Sequence, residues 1–285
     1  KNKKILFFSQ KNIQVKFPNK FVILKNIYEM ESSIELFSAK DLVGLEYKYC
    51  PYKIILWFKE KKIKTKNVEN FLSLNKSIKN RKEIINIKNC HKRDGAYLTK
   101  FLYWLTKCIH SRKISEIEAS QKLKKIRSKD KKFISESFSS ISASGGNAAI
   151  THYKTSEMNN VLIDIEKIYL IDSGAHYKDG TTDITRTVTF KEQSSFIKNV
   201  YTRVLKGHIA LDSMIFPKNV TGNELDLVAR KFLWEIGLDY SHGTGHGVGY
   251  VSSVHEFPPT ISRKKNSILL PGMILSNEPG FYLEG

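Results

Sequence analysis

The chain has 285 residues, 47 Lys/Arg against 28 Asp/Glu, and a formal net charge of +19, a length that allows one large domain and a smaller companion. No apolar run approaches the roughly 20 residues a membrane helix needs; the longest, "KIILWF", covers residues 53–58. The basic excess is lopsided, 33 Lys/Arg and 12 Asp/Glu in residues 1–132 against 14 and 16 in residues 133–285, and it comes without recognition helix, finger spacing or aromatic strip, so neither nucleic acid nor a membrane is an expected partner.

The first residue is Lys1, so the natural N-terminus is expected upstream and no targeting signal can be read. Residues 1–74 read as strands and short helices ("KKILFF", "KFVIL", "YKIILWF") between charge runs and are expected to be part of an N-terminal domain; residues 75–285 form the main domain. Ile84, Ile87, His91, Asp94/Gly95, Leu98, Leu102, Leu105 and Ile109 recur at three- and four-residue steps and predict one long helix. Ser115 followed by Glu118 predicts a capping box opening a second helix. The β-prone segments "SFSSISAS" and "KIYLIDSGAHY" follow. The order then repeats. Phe196, Val200, Val204, Leu211 and Ile215 line a helix; Thr221 and Glu224 cap another, carrying Leu225, Val228, Phe232 and Ile236 and stopped by Gly237; "GHGVGYVSSVHEF" and "MILSNEP" are strand-like. Helix-helix-strands thus occurs twice without sequence identity, which predicts two related layers around one central site. Cys50, Cys90 and Cys108 lie far apart and outside metal-ligand spacing, so they read as core or surface thiols in a reducing compartment.

Asp172 ends the apolar run "KIYLID", and Asp179-Gly180 is a hairpin turn signal. The chain returns as the alternating "TTDITRTVTF", bringing Asp183 back beside Asp172. Two adjacent carboxylates repel unless a cation lies between them, although alone such a pair reads far more readily as exposed hairpin polar residues beside Arg186. The segment "SHGTGHGVGYVSSVHEFP" adds His242, His246 and His255 among four glycines, and Glu278 precedes a Pro-Gly turn. Asp172, Asp183, His246 and Glu278 make an oxygen-rich set with one imidazole. Such donors suit divalent ions, Mn²⁺ first, with Co²⁺ and Zn²⁺ as alternatives. Two such ions carry four positive charges against three carboxylates, so one more acid is expected.

With "IKNRKEI…CHKRDGAYL", "ITHY", "LIDSGAHYKDGTTDITRT", "HGTGHGVG…VHE" and "SNEPGFY" in this order, the chain from about residue 75 to 285 resembles the pita-bread metallopeptidases, and among them the X-prolyl aminopeptidases of the cytosolic eukaryotic type. The resemblance implies an α+β fold: a pita-bread catalytic domain with duplicated helix-helix-strand halves, preceded by the remnant of an α/β N-terminal domain of the creatinase type. It makes Asp172, Asp183, His246 and Glu278 the ligands of two divalent metal ions. Glu278 also acts as general base, and His152, His242 and His255 bind substrate and stabilise the transition state. The implied reaction is hydrolysis of the N-terminal Xaa-Pro bond of peptides by a metal-bridging hydroxide, in a cytoplasmic homodimer, with one ion taking the free α-amine. Proline offers no amide N–H for an enzyme to grip, and His152 and Tyr153 are expected to edge the pocket for its ring. The family's fifth ligand, a bridging Glu on a later strand, falls beyond Gly285, and Glu284 is too near Glu278 to replace it. Prolidase, restricted to Xaa-Pro dipeptides, is the alternative within the family. A metal-free pita-bread binding module is the alternative outside enzymes, and the competent residue at every covered ligand position argues against it.

Overall fold

The structure is a computed structural model that describes residues 5–10, 21–68, 71–264 and 267–283. The chain divides into two compact units, residues 1–71 and 72–285. In the first, β1 (Ile5–Ser9) pairs parallel with β2 (Val22–Asn26), and β3 (Leu42–Leu45) pairs parallel with β4 (Lys64–Asn67). A parallel pair needs a crossover, and α1 (Tyr52–Glu60) supplies it between β3 and β4. This is "YKIILWF", helical because Ile54, Trp57 and Phe58 fall on one face and pack against Ile34 and Ile63.

The second unit opens within α2 (Phe71–Ser77), followed by the 28-residue α3 (Arg81–Cys108). α3 begins three residues before the periodicity suggests, because Asn80 and Glu83 cap it reciprocally: Glu83 N–H donates to Asn80 Oδ1 at 3.0 Å and Asn80 N–H to Glu83 Oε2 at 2.9 Å. Its buried stripe is Ile87, Cys90, Asp94, Leu98, Phe101 and Leu105. Ile84 and Leu102 are only half-buried, and Cys90, a free thiol, is fully enclosed. α4 (Glu116–Arg127) starts at Ser115, whose Oγ accepts from Glu118 N–H at 3.2 Å. The expected reciprocal half of that box does not form, because the Glu118 carboxylate pairs with Arg112 at 2.6 Å instead.

Two small sheets follow. The strands β6 (Ile141–Ser144), β7 (Tyr169–Ser173) and β10 (Ile184–Val188) run antiparallel in the order β10-β7-β6; β5 (Phe133–Glu136), β8 (Ala175–Tyr177) and β9 (Gly180–Thr181) form β5-β8-β9. The β8–β9 hairpin closes at Lys178-Asp179, one residue before the Asp179-Gly180 signal, with Gly180 already paired to Tyr177. Leu98, Phe101 and Leu105 of α3, Leu123 of α4 and Tyr169 and Ile171 of β7 make the core of this half.

In the second half, α5 (Ser195–Asp212) and α6 (Gly222–Trp234) pack through Gly207, where a Cβ would come within 2.2 Å of the Ala229 carbonyl oxygen. α5 ends before Ile215, which is 97% exposed rather than part of the helical stripe. The Thr221–Glu224 cap forms, with the Glu224 carboxylate accepting from both Thr221 N–H and its hydroxyl. Gly237 stands past the end of α6 at φ 72°. The Gly-rich segment contributes only the short β11 (Gly245–Gly247), paired with β12 (Glu256–Ile261) across a register shift. "MILSNEP" is not a strand but an extended segment, bridged at Met273 to Ile78 and at Leu275 to Gly247. Leu211, Leu225, Ala229, Ile261 and Leu269 fill this half's core. Among the described residues no helix is long and apolar enough to cross a membrane.

Candidate metal centre

Asp172 lies on β7 directly opposite Thr185 of β10, whose hydroxyl donates to Asp172 Oδ1 at 2.8 Å. Asp183 immediately precedes β10, so the hairpin return carries it alongside Asp172. Burial first, and then the Asp183 charge, push the Asp172 carboxyl up to about 7. Arg186 brings no relief, since its Nη1 donates to the Thr185 carbonyl oxygen at 2.7 Å.

The other half delivers His246 and Glu278 together. The segment 274–278 runs beside 244–248: Val248 N–H donates to the Ile274 carbonyl, Ser276 N–H to that of His246 and Glu278 N–H to that of Thr244, at 2.8–2.9 Å. Gly245 is required here. A Cβ on it would lie 2.2 Å from the Ser276 carbonyl oxygen, so this glycine serves close approach of two backbones.

One atom of each of Asp183, His246 and Glu278 lies within 4.8 Å of the others. His246 Nε2 is 3.2 Å from Asp183 Oδ2 and 3.2 Å from Glu278 Oε1. Its Nδ1 faces the Gly247 carbonyl oxygen at 2.9 Å, which accepts and cannot donate, so Nδ1 carries a proton and the neutral ring aims its Nε2 lone pair at two carboxylates. That arrangement is repulsive unless a cation occupies it. Without a metal the cation is a proton: burial disfavours the charged ring, yet hydrogen bonds to Asp183 and Glu278 overcome it and raise His246 to about 10. Glu278 responds in the opposite sense. Burial raises its carboxyl, but the His246 and Ser276 hydrogen bonds outweigh this and hold it below its ordinary value, with Ser276 Oγ 2.6 Å from Oε1. A Lewis-acidic ion would take the place of that proton. Three carboxylates, a lone pair fixed by a carbonyl-bound tautomer and a supporting Thr185 hydroxyl fit a divalent metal.

The three further histidines gather at the same place. The His255 ring meets that of His246 edge-on, centroids 4.1 Å apart. Burial and the His246 charge lower its pKa, and His152 is close enough to add to the effect. His152 itself adopts a left-handed backbone, φ 60°. His242 donates through Nδ1 to the Gly243 carbonyl at 2.8 Å, and its Nε2 is 3.0 Å from the Tyr282 hydroxyl. Tyr153 departs from expectation. It is 6% exposed, and its hydroxyl lies 2.9 Å from Glu116 Oε2 and 3.0 Å from the Asn159 carbonyl, so it anchors the loop behind His152 instead of edging a pocket. Glu116, also fully buried, accepts from Ser144 N–H as well. Thr185, Ser276 and Tyr282 were not singled out by sequence reasoning; for Thr185 the signal is its parity with Asp183 in an alternating strand. Glu284 lies outside the described residues.

The model of metallopeptidase family M24 matches residues 85–285, and the chain belongs to that family. Its fold is the pita-bread fold of those enzymes. A probable Xaa-Pro aminopeptidase P of Paracoccidioides brasiliensis is 49% identical over 227 residues, which cover 78% of this chain and 37% of that protein. The chain therefore spans little more than a third of that relative's length. Among solved structures, the X-prolyl aminopeptidase of Caenorhabditis elegans, described as a cytosolic enzyme with a dinuclear active site, superposes with a TM-score of 0.81 at 36% identity, covering 93% of this chain and 44% of that one. An Xaa-Pro dipeptidase from Bacillus anthracis gives 0.78 at 28% identity, over 93% and 72% of the two chains.

Proposed function

We propose that this chain carries the active site of a dinuclear-metal aminopeptidase that hydrolyses the N-terminal Xaa-Pro bond of peptides. One observation bears most of the weight: an imidazole lone pair fixed on two carboxylates, with a third carboxylate pushed up in pKa beside them. Asp172, Asp183, His246 and Glu278 would hold the ions, and the oxygen-rich set favours Mn²⁺. When bound, the ions supply Lewis acidity to water, to the scissile carbonyl and to the substrate's free α-amine.

The chain's own groups do the rest. Glu278, kept ionised by His246 and Ser276, is placed to accept a proton. His255, whose pKa is lowered by burial, stays neutral near pH 7 and can donate one hydrogen bond to a developing oxyanion. His242, oriented from both ring nitrogens, and His152 line the approach to the same cluster. A tertiary Xaa-Pro amide has no N–H to bind, so recognition falls to these side chains. Two relatives at about half identity are each named a probable Xaa-Pro aminopeptidase P, which favours this reading over a dipeptidase. Family resemblance extends it to a homodimer, and the description of the worm protein to the cytoplasm.

The test measures metal content and cleavage together in the full chain. Xaa-Pro-Yaa tripeptides with a free amine are expected to be cleaved, N-acetylated ones not, and Asp183→Asn to lose both metal and activity. Cleavage confined to dipeptides would point to prolidase. Activity retained without metal would refute the proposal.

A further inference from the structure

Two buried carboxylates take no part in the ligand cluster, yet each grips the residue that leads a ligand into it. Asp94, in the middle of α3 and 0% exposed, receives Arg127 Nε and Nη2 at 2.8 Å each, the Tyr177 hydroxyl at 2.6 Å and the Thr182 hydroxyl at 2.9 Å. Thr182 is the residue immediately before Asp183. Asp226, on α6 and also 0% exposed, receives Arg230 Nε at 2.5 Å and the Thr244 hydroxyl at 2.6 Å. Thr244 stands two residues before His246, and its carbonyl accepts from Glu278 N–H at 2.8 Å. Arg230 reaches further along the same segment, donating to the carbonyls of Tyr240 at 2.6 Å and His242 at 2.7 Å.

The two halves thus contain the same device with different wiring, an arginine-clamped aspartate on a helix holding a buried threonine hydroxyl. The arginine comes from the next helix in one half and from one turn along the same helix in the other. Both threonines are 0% exposed, so neither hydroxyl has water as a partner. Thr182 Oγ1 also accepts from Ala175 N–H at 3.0 Å and Thr244 Oγ1 also meets the Tyr240 hydroxyl, and the aspartate fixes the segment that leads to each ligand. We propose that Asp94 and Asp226, acting through Thr182 and Thr244, are the positioning residues of the metal centre, setting the Asp183 carboxylate against the His246–Glu278 pair. This rests on the metal-site reading above. Outer-shell partners of this kind typically change metal affinity by about 10–100-fold when removed.

The test uses the full chain with Thr182→Val and Thr244→Val, which keep shape and remove the hydroxyl, and Thr182→Ser and Thr244→Ser, which restore it. Tyr177→Phe is the control, since it removes another donor from Asp94 without touching a ligand-bearing strand. Mn²⁺ affinity is measured by calorimetric titration and the Co²⁺ site by its visible absorption. The Val variants are expected to bind Mn²⁺ about 10–100-fold more weakly with a shifted Co²⁺ band, the Ser variants and Tyr177→Phe to stay within a few-fold of the parent. Parent-like affinity and spectrum in both Val variants would overturn the proposal, as would an equal loss in Tyr177→Phe, which would reduce the effect to general destabilisation. A parent protein that binds neither ion would instead refute the metal-site reading itself.

Discussion

Of the proposed metal ligands, Glu278 is asked to do two things, and they can be separated chemically. Gln keeps the shape and one oxygen for an ion but cannot take up a proton. Glu278→Gln is therefore expected to cut kcat by about 10²–10⁴-fold while metal analysis still finds bound ions; an unimpaired kcat would remove the proton-acceptor role. Tyr153 shows the opposite kind of residue, one whose polar end is structural. Its hydroxyl is committed to Glu116 and the Asn159 carbonyl, and burial, then Glu116, push it up to about 12. Tyr153→Phe leaves a buried carboxylate one donor short, which should cost about 1–3 kcal/mol in urea denaturation. At this scale the sequence was readable where type and spacing suffice: Asp183, His246 and Glu278 come within 4.8 Å of one another, and Asp172, outside that group, feels the charges of all three. The sequence did not reveal the roles of Asp94 and Asp226, because the threonines they hold lie 88 and 18 positions away, beyond the reach of a local pattern.

At the scale of elements, the local rules worked where they were self-contained and failed where tertiary contacts competed. The Thr221–Glu224 box and the β8–β9 turn formed because all their groups lie within four residues. The Ser115–Glu118 box half-failed because Arg112 captured the glutamate. "MILSNEP" looks like a strand but spends its hydrogen bonds on the 244–248 segment one at a time, and this irregular pairing is what sets Glu278 beside His246. Glycines test the point with opposite signs. Gly95 lies inside α3 with nothing within 4 Å of where a Cβ would be, so Gly95→Ala should stabilise by about 0.5–1 kcal/mol through helix propensity. In Gly245→Ala the new methyl meets the Ser276 carbonyl oxygen. Overpacking of that kind typically costs about 1–3 kcal/mol, and here it also separates the two segments that carry His246 and Glu278. Thermal melts of both variants decide it: equal shifts would mean that backbone approach at Gly245 is not constrained.

For the whole molecule, the repeated helix-helix-strand order gave the architecture away even without sequence identity between halves, since both halves bury an apolar helix face over short strands. The charge count is more instructive when followed to individual pairs. In a chain so rich in lysine, the carboxylates are the scarce partners, and several are shared. Asp179 accepts from Arg93 through both oxygens, at 2.7 and 3.0 Å, and from Lys132 at 2.7 Å, while Arg93 also reaches Asp130 at 3.1 Å. Burial alone would raise Asp179, but the hydrogen bonds from Arg93 and Lys132 outweigh it and depress its pKa; Asp130 is depressed in the same way by the Lys132 N–H and Arg93. A carboxyl whose folded pKa lies below its unfolded value of about 3.9 contributes stability that is fully present above that value. That contribution is lost as pH falls through the folded pKa, because the unfolded chain then binds the extra proton. The cluster ties α3 to the β8–β9 turn and to the segment before β5, so its protonation loosens the first half of the fold directly. The parent should therefore lose stability steeply below about pH 4. Asp179→Asn should be less stable at pH 7 and show a shallower decline on the acid side, since it has one fewer linked proton to bind. Urea denaturation at pH 7, 4 and 3 measures both, and parallel pH curves for parent and variant would show that Asp179 contributes nothing to acid unfolding.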